Sequence, residues 1–203
     1  MPVIARDIFL VVTGGPGAGK TTLIERLAAQ GFATVEEAGR RIIREQKASG
    51  GNATHDGDRL AYRALMFRDA IATYERMEAA DGPVFFDRGL PDLIGYSRLI
   101  GVAAPGELAR AVAHYRYNKT VLIAPPWREI YGQDDERGQD FAEAAATHDA
   151  IRDAYIEAGY EPLPLPLAPV EVRLALAAGL ARQCGAQSGS TPCSMPKTTG
   201  PSR

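Results

Sequence analysis

The chain is poor in the residues that mark several whole classes of protein. Its two cysteines, Cys184 and Cys193, both fall in the final stretch and lack metal-ligand spacing, which argues against a disulfide framework and against a zinc site. The formal net charge of −2 argues against a protein that coats nucleic acid or an anionic membrane. No apolar run approaches the roughly 18 residues of a membrane span, and no basic leader precedes an apolar segment. We therefore expect a cytoplasmic protein with no nucleic-acid or membrane partner.

Motifs of acyl-transfer hydrolysis and of metal catalysis through histidine are missing as well. The sequence contains no G-x-S-x-G motif and no plausible cysteine nucleophile. Its three histidines, His55, His114 and His148, are scattered and lie near no cysteine or acid cluster in the sequence. The sequence therefore favours neither acyl-transfer hydrolysis nor metal catalysis through histidine.

What the sequence does contain is a glycine-rich loop directly after an apolar run. Residues 14–21 read G-G-P-G-A-G-K-T and match the phosphate-binding pattern G-x-x-x-x-G-K-[ST] at every fixed position. In this pattern backbone N–H groups cradle phosphates, the lysine reaches the β and γ phosphates, and the hydroxyl can ligate Mg²⁺. The following helix adds its positive dipole end. The predicted nucleotide-binding residues are Gly14, Gly15, Pro16, Gly17, Ala18, Gly19, Lys20, Thr21 and Thr22, and Lys20 is also a predicted catalytic residue.

Short apolar runs alternate with longer amphipathic stretches, which is typical of a parallel sheet covered by helices. We predict strands over residues 8–13, 33–36, 84–87, 120–124 and 160–165. Pro162 and Pro164 confine the last of these to an edge of the sheet or shorten it. Helices are predicted over residues 22–30, 39–47, 58–80, 90–100, 105–117, 140–158 and 169–183. The chain thus divides into one nucleotide-binding domain, residues 1–183, and a tail, residues 184–203, whose composition predicts disorder.

An acid closes the third predicted strand, at the sheet edge where the glycine-rich loop also ends. This acid, Asp87, is predicted to be catalytic and to hold Mg²⁺ together with Thr21. The alternative is that Asp87 merely caps the following turn. The next residue, Arg88, is predicted to lie beside the transferred phosphoryl group or the acceptor, and it could equally form a structural ion pair with Asp87 or Asp92.

Two adjacent acids, Glu36 and Glu37, close the second predicted strand. Neighbouring strand residues point to opposite faces, so only one of the two can face the cleft. That carboxylate could take a proton from an acceptor hydroxyl as general base. Alternatively, both acids belong to the first turn of the next helix, where its dipole favours them.

The polar stretch of residues 125–137 follows the fourth predicted strand and is a candidate lid over the nucleotide. Within it, Arg128 is a predicted nucleotide-binding residue, and Arg137 is a predicted catalytic residue that stabilises negative charge on phosphate oxygens. A solvated, salt-bridged surface loop is the competing interpretation.

The order of these motifs resembles a known group. The glycine-rich loop, V-E-E-A-G-R, F-F-D-R-G and P-P-W with a downstream Asp and Arg resemble the bacterial predicted ATPases of the AAA-domain type. These are similar in turn to the nicotinamide riboside kinase part of the bifunctional NAD-metabolism regulator. The resemblance covers about residues 6–183. It implies a P-loop NTPase fold, a three-layer α/β/α sandwich with a five-stranded, mostly parallel sheet like that of nucleoside and nucleotide kinases, and it implies ATP and Mg²⁺. By position, it also implies Glu37 as the base.

Two catalytic functions remain open at this point, together with a structural or lipid-associated module that keeps the nucleotide site for stability and binds without turnover. The first is a kinase that moves the γ-phosphoryl group of Mg-ATP to a nucleoside-like or other small metabolite. The second is a regulatory NTPase that hydrolyses ATP or GTP and has no acceptor except water. The segment N-K-T-V at residues 118–121 precedes a predicted strand and has Val where a guanine-binding motif needs Asp, which disfavours a GTP-specific switch.

Overall fold

The computed structural model describes residues 2–130 and 141–188. Within these ranges seven strands form two sheets, in which every pairing is parallel. Two short strands, β1 and β5, form the smaller sheet, and the other five form the larger one in the spatial order β3-β4-β2-β6-β7. The strands are Ile4–Ala5 (β1), Phe9–Gly14 (β2), Ala33–Val35 (β3), Val84–Asp87 (β4), Tyr115–Arg116 (β5), Thr120–Ala124 (β6) and Glu161–Pro164 (β7).

Helices cover both faces of the larger sheet. They are Lys20–Ala29 (α1), Ala38–Ser49 (α2), Arg59–Arg76 (α3), Leu90–Leu99 (α4), Gly106–His114 (α5), Phe141–Glu157 (α6) and Val170–Ser188 (α7). Alternation along β2 divides the core: Phe9 and Val11 pack with residues of α3, α4, α5 and α6, whereas Leu10 and Val12 pack with residues of α1 and α7. The predicted three-layer α/β/α architecture is therefore confirmed.

The prediction for the last strand is also confirmed in its placement. The strand β7 lies at the edge of the sheet and pairs only with β6, with Pro162 and Pro164 opposite Val121 and Ile123. A proline has no N–H to donate to a neighbouring strand, so an edge is where it can be accommodated.

Three local predictions were wrong. The helix α5 ends at His114 because the next two residues pair as β5 with the amino-terminal strand β1, a partner too remote in sequence for a local pattern to reveal. The helix α7 runs to Ser188 rather than to residue 183, and Cys184, assigned to the tail, is buried in the core. Three- and four-residue spacing predicts a buried stripe on α3 that includes Leu60, Ala64, Phe67, Ile71 and Tyr74, but Leu60 is 51% exposed whereas Tyr62 of the same turn is buried. The remaining tail, residues 189–203, lies outside the described residues. Among the helices described, none has the length and apolar character that crossing a bilayer requires.

Candidate active site

The glycine-rich loop connects the central strand β2 to helix α1 at the carboxyl edge of the sheet. Its backbone depends on glycine: Gly14, Gly17 and Gly19 have φ values of +126°, +68° and +75°. A Cβ on Gly14 would lie 2.3 Å from the carbonyl oxygen of Ala124 on the neighbouring strand β6. Gly19 is the residue immediately before α1, so the amino-terminal end of this helix, with its N–H groups and its positive dipole end, directly follows the loop.

The lysine of the motif folds over this loop. Lys20 is 6% exposed, and its Nζ donates a hydrogen bond of 2.7 Å to the carbonyl oxygen of Gly15. Its ammonium group is therefore held at the loop. The next two residues, Thr21 and Thr22, are exposed in the first turn of α1, so the Thr21 hydroxyl is accessible at this position.

The acid at the end of β4 lies in the same region. Asp87 is 7% exposed, and among the described residues its Oδ1 has no hydrogen-bond partner. Burial raises the pKa of Asp87, and the nearby charge of Glu37 raises it as well; although Lys20 and Arg88 oppose the shift, the resulting pKa is about 6. The helix-capping alternative does not describe this side chain, because the residue that precedes α4 is Gly89 and its N–H is bound by Asp92.

A buried carboxylate oxygen without a partner suits a divalent cation. Mg²⁺ takes oxygen ligands and is commonly bound by one or two protein groups, with waters and substrate phosphates completing its shell. The carboxylate of Asp87 and the hydroxyl of Thr21 are donors of this kind. The described residues include no group of three or more histidine, cysteine or acidic side chains placed to hold a metal.

Arg88 joins three parts of the site. Its Nε donates to Glu37 Oε1 at 2.9 Å, and its Nη1 donates to Asp92 Oδ1 at 2.9 Å and to the Gly14 carbonyl oxygen at 3.1 Å. Burial lowers the pKa of Arg88, but the carboxylates of Glu37, Asp92 and Asp87 outweigh burial and raise it above its ordinary value. Of the residues other than glycine that the structure describes, it alone has a positive φ, +78°. Such a conformation costs of order 1–3 kcal/mol and persists only where the surrounding contacts impose it.

The structure separates the two adjacent acids. Glu37 lies immediately before α2 and reaches Arg88, whereas the exposed Glu36 lines a cavity of about 340 Å³ with Thr34, Arg41 and Asp69. Glu37 is therefore the acid on the side of the glycine-rich loop. Neither acid lies in the first turn of α2, although Glu37 directly precedes the helix, where its carboxylate is bound by Arg88.

A further acid that sequence reasoning treated only as a possible partner of Arg88 organises this region. Asp92, 5% exposed, accepts hydrogen bonds from four donors. They are Thr13 Oγ1 at 2.5 Å, Arg88 Nη1 at 2.9 Å, the Gly89 N–H at 2.9 Å and the Tyr155 hydroxyl at 2.7 Å. The carboxylate thus joins β2, the turn after β4 and helix α6. Its i+4 spacing from Arg88 was the one signal of this role in the sequence.

The sequence profile of the AAA-domain family matches residues 9–173. The chain belongs to the AAA-domain family. The match begins at the first residue of β2 and includes Lys20, Glu37, Asp87, Arg88 and Asp92. It confirms the resemblance deduced from the motifs. A comparison with curated proteins found none that matches.

Solved structures confirm the fold of this AAA-domain protein. The NadR protein in complex with NR superposes with a TM-score of 0.65 at 21% identity, over 88% of this chain and 51% of that chain. The deoxyadenosine kinase from M. mycoides with products dCMP and dCDP bound gives 0.62 at 12% identity, over 86% and 99%. The AAA-domain chain thus spans about half the length of the NadR protein. At these identities the likeness establishes a nucleoside-kinase-like P-loop fold.

Of the two arginines predicted in the candidate lid, only Arg128 is among the described residues. Arg128, in a short 3₁₀ helix over Arg128–Ile130, is exposed and stacks over the ring of Phe141, with its Cζ 4.3 Å from the ring centroid. Its predicted contact with nucleotide stays a prediction. Arg137, with the rest of residues 131–137 of that stretch, lies outside the described residues.

Sequence reasoning missed an arginine next to the glycine-rich loop. Arg173, in the first turn of α7, is 2% exposed, and its Nη1 donates to the Ala18 carbonyl oxygen at 2.8 Å. A signal was present, because Arg173 falls in helical register with the buried Ala177 and Ala181. An arginine on a buried stripe calls for a specific partner.

We expect Asp92→Asn to lower the free energy of unfolding by about 2–4 kcal/mol. The substitution removes the charge that holds Arg88 and turns one acceptor oxygen into a donor that faces other donors, and hydrogen bonds to charged groups are worth about 1.5–3 kcal/mol each. Urea unfolding measures the change. The control is Asp69→Asn, which breaks a more exposed pair with Arg41 and should cost less than about 1 kcal/mol. Equal effects for the two variants would contradict the role given to Asp92.

Proposed function

We propose that this AAA-domain protein is a kinase that transfers the γ-phosphoryl group of Mg-ATP to a hydroxyl group of a nucleoside-like or other small metabolite. The observation that carries the proposal is the position of Glu37. Its carboxylate is held at the carboxyl edge of the sheet by Arg88, whose Nη1 in turn reaches the Gly14 carbonyl of the phosphate-binding loop. These contacts support a role for Glu37 as the proton acceptor near the γ-phosphate of a bound nucleotide.

Each residue then has a defined part in the reaction. The N–H groups of residues 14–21 and the Lys20 ammonium bind the phosphates and orient the γ-phosphoryl group. Bound through Asp87 and Thr21, Mg²⁺ would neutralise charge on the phosphate oxygens. Glu37 accepts the proton of the acceptor hydroxyl as its oxygen bonds to Pγ and as the bond from Pγ to the bridging oxygen breaks, so that ADP leaves with the electron pair. A carboxylate accepts several hydrogen bonds at once, so the contact with Arg88 is compatible with this role.

The ion pair of Arg88 and Glu37 also orients the base. An arginine with fixed hydrogen bonds to Asp92 and Gly14 is a rigid support for a side chain at a strand end. Positioning of this kind contributes to rate because the reacting atoms must meet in a narrow range of geometry. The nucleoside-kinase-like fold supports the proposal, and the NR and dCMP named for the two similar structures suggest a nucleoside or related acceptor for this chain.

A screen for acceptors tests the proposal. ADP formation is measured with Mg²⁺ and ATP or GTP, against nucleosides, nucleoside monophosphates, nicotinamide riboside and no acceptor. Acceptor-dependent ADP formation would establish a kinase and define its substrate class. Slow ADP formation that no acceptor accelerates would instead support the regulatory NTPase.

We expect Glu37→Gln to lower the transfer rate about 10²- to 10⁴-fold while nucleotide binding stays within about twofold. The amide cannot take the proton, and general-base catalysis contributes about this factor. Steady-state kinetics and the thermal shift with Mg-ATP measure the two quantities. The matched control is the neighbouring Glu36→Gln, which alters the exposed acid that lines the separate cavity. It should leave both the transfer rate and nucleotide binding unchanged. A loss of rate in Glu36→Gln with none in Glu37→Gln would reverse the assignment.

A further inference from the structure

Trp127 is the only tryptophan in the sequence and follows strand β6 at the edge where the phosphate-binding loop lies. The guanidinium of Arg173 covers one side of its ring, with Cζ 4.6 Å from the ring centroid. Trp127 remains partly exposed. A large aromatic ring that is fixed on one side and partly exposed is a suitable surface for a second flat group.

Arg173 holds that ring in a defined place. Its Nε donates to the Pro166 carbonyl oxygen at 2.9 Å and its Nη1 to the Ala18 carbonyl oxygen at 2.8 Å. One guanidinium therefore connects the segment after β7, the phosphate-binding loop and the segment after β6. A Cβ on Gly19 would lie 3.3 Å from both Arg173 Nη1 and Ile130 Cδ1, so the Trp127 segment lies over the start of α1.

Among the described residues, no carboxylate pairs with Arg173. Burial lowers its pKa, and within the described part of the chain its Nη2 has no hydrogen-bond partner. A buried cation without an anion is costly, and a bound nucleotide would bring negative charge to the adjacent loop.

We propose that Trp127, fixed by Arg173, is the platform on which the nucleobase of the donor nucleotide stacks. The inference rests on the proposed binding of a nucleoside triphosphate at residues 14–21 and extends it to the base. Stacking uses the π-face that every purine has, so this platform recognises adenine and guanine about equally. Base discrimination by hydrogen bonds is not required of it.

The expected effects follow from the strength of such stacking. Base–aromatic stacking changes affinity by about 5- to 150-fold when the aromatic residue is replaced by alanine. We therefore expect Trp127→Ala to weaken the binding of Mg-ATP and of Mg-GTP by roughly 10- to 100-fold. Trp127→Phe retains a ring and should stay within about fivefold of the unaltered protein. Inorganic tripolyphosphate has no base, so its affinity should be equal in all three proteins.

The single tryptophan provides a direct measurement. We expect Mg-ATP and Mg-GTP to change the fluorescence of Trp127 in a saturable way with dissociation constants within about fivefold of each other, while tripolyphosphate binds without that change. Thermal shift or calorimetry gives the affinities of the two variants. The inference is overturned if tripolyphosphate changes the fluorescence as ATP does, if Trp127→Ala binds ATP normally, or if one purine nucleotide binds more than a hundredfold tighter than the other.

These outcomes are separable from those of the proposed function. If no acceptor accelerates ADP formation but both nucleotides change the fluorescence, the kinase proposal fails and the stacking platform stands. If tripolyphosphate stabilises the protein while the nucleotides bind no better than it does, the platform fails and the phosphate site stands. If neither tripolyphosphate nor the nucleotides bind, the nucleotide site and the platform fail together.

Discussion

We expect Lys20→Ala to abolish the thermal stabilisation by Mg-ATP and to lower turnover at least about a hundredfold. The Lys20 ammonium is held at the loop by the Gly15 carbonyl, and no other lysine lies at this edge of the sheet among the described residues. Removing a single preorganised donor to a charged transition state costs about 10²–10³ in rate. A ligand at about 100 times its Kd stabilises by about 2.7 kcal/mol, which for a chain of this length raises Tm by roughly 5–10 °C.

The matched control is Lys119→Ala. Lys119 lies just before β6, at the opposite edge of the sheet. It is exposed and pairs with Glu161. Its removal should leave both the thermal shift and the turnover unchanged. Without nucleotide, Lys20→Ala should unfold within a few degrees of the unaltered protein, because the backbone of the loop depends on glycines 14, 17 and 19 rather than on the lysine. A normal shift together with normal turnover in Lys20→Ala would refute the phosphate-binding role of the loop.

The sequence sufficed for those features of the fold that depend on local pattern. The glycine-rich loop is a contiguous motif whose backbone requirements are visible residue by residue, and β4 and β6 are short apolar runs with clear limits. The edge position of β7 could be predicted because proline has a specific defect, the missing N–H. For each of these features the physical cause lies within a few residues of the element.

The rest of the site depends on contacts between distant segments. Asp92 is bound by Thr13 and Tyr155, which lie 79 and 63 residues away in the sequence. Arg173 and Ala18 are 155 residues apart. Nothing local distinguishes these two side chains from surface charges, apart from the i+4 spacing of Asp92 from Arg88 and the buried register of Arg173. Which of Glu36 and Glu37 faces the loop also depended on an interaction with a remote residue, Arg88.

The second large effect is expected at Asp87, the buried acid at the end of β4, and concerns the free energy of unfolding. Because burial raises the pKa of Asp87 to about 6, its ionised form opposes folding. Below the ordinary pKa of an aspartate the folded and unfolded chains both hold the proton. As pH rises from about 4 to about 6, the unfolded chain releases the proton before the folded chain does, so stability falls and then stays level. The difference between a pKa of about 6 and the ordinary pKa of an aspartate corresponds to about 3 kcal/mol of unfolding free energy at pH 8.

We therefore expect Asp87→Asn to stabilise the ligand-free protein by about 1–3 kcal/mol at pH 8, and to do so by roughly 1 kcal/mol less at pH 5. The same variant should lose Mg²⁺-dependent turnover by at least about a hundredfold, because a neutral amide is a weaker ligand for Mg²⁺ than a carboxylate. Urea unfolding at the two pH values and kinetics across Mg²⁺ concentrations measure these effects.

Asp81→Asn, which replaces an exposed acid just before the opposite end of β4, is the control and should change neither quantity. A variant at Asp87 that is less stable than the unaltered protein at pH 8 would show that the carboxylate has a structural partner; one that keeps full turnover would show that it holds no metal. Gain of stability together with loss of turnover is the result expected of a residue whose buried charge serves the reaction rather than the fold.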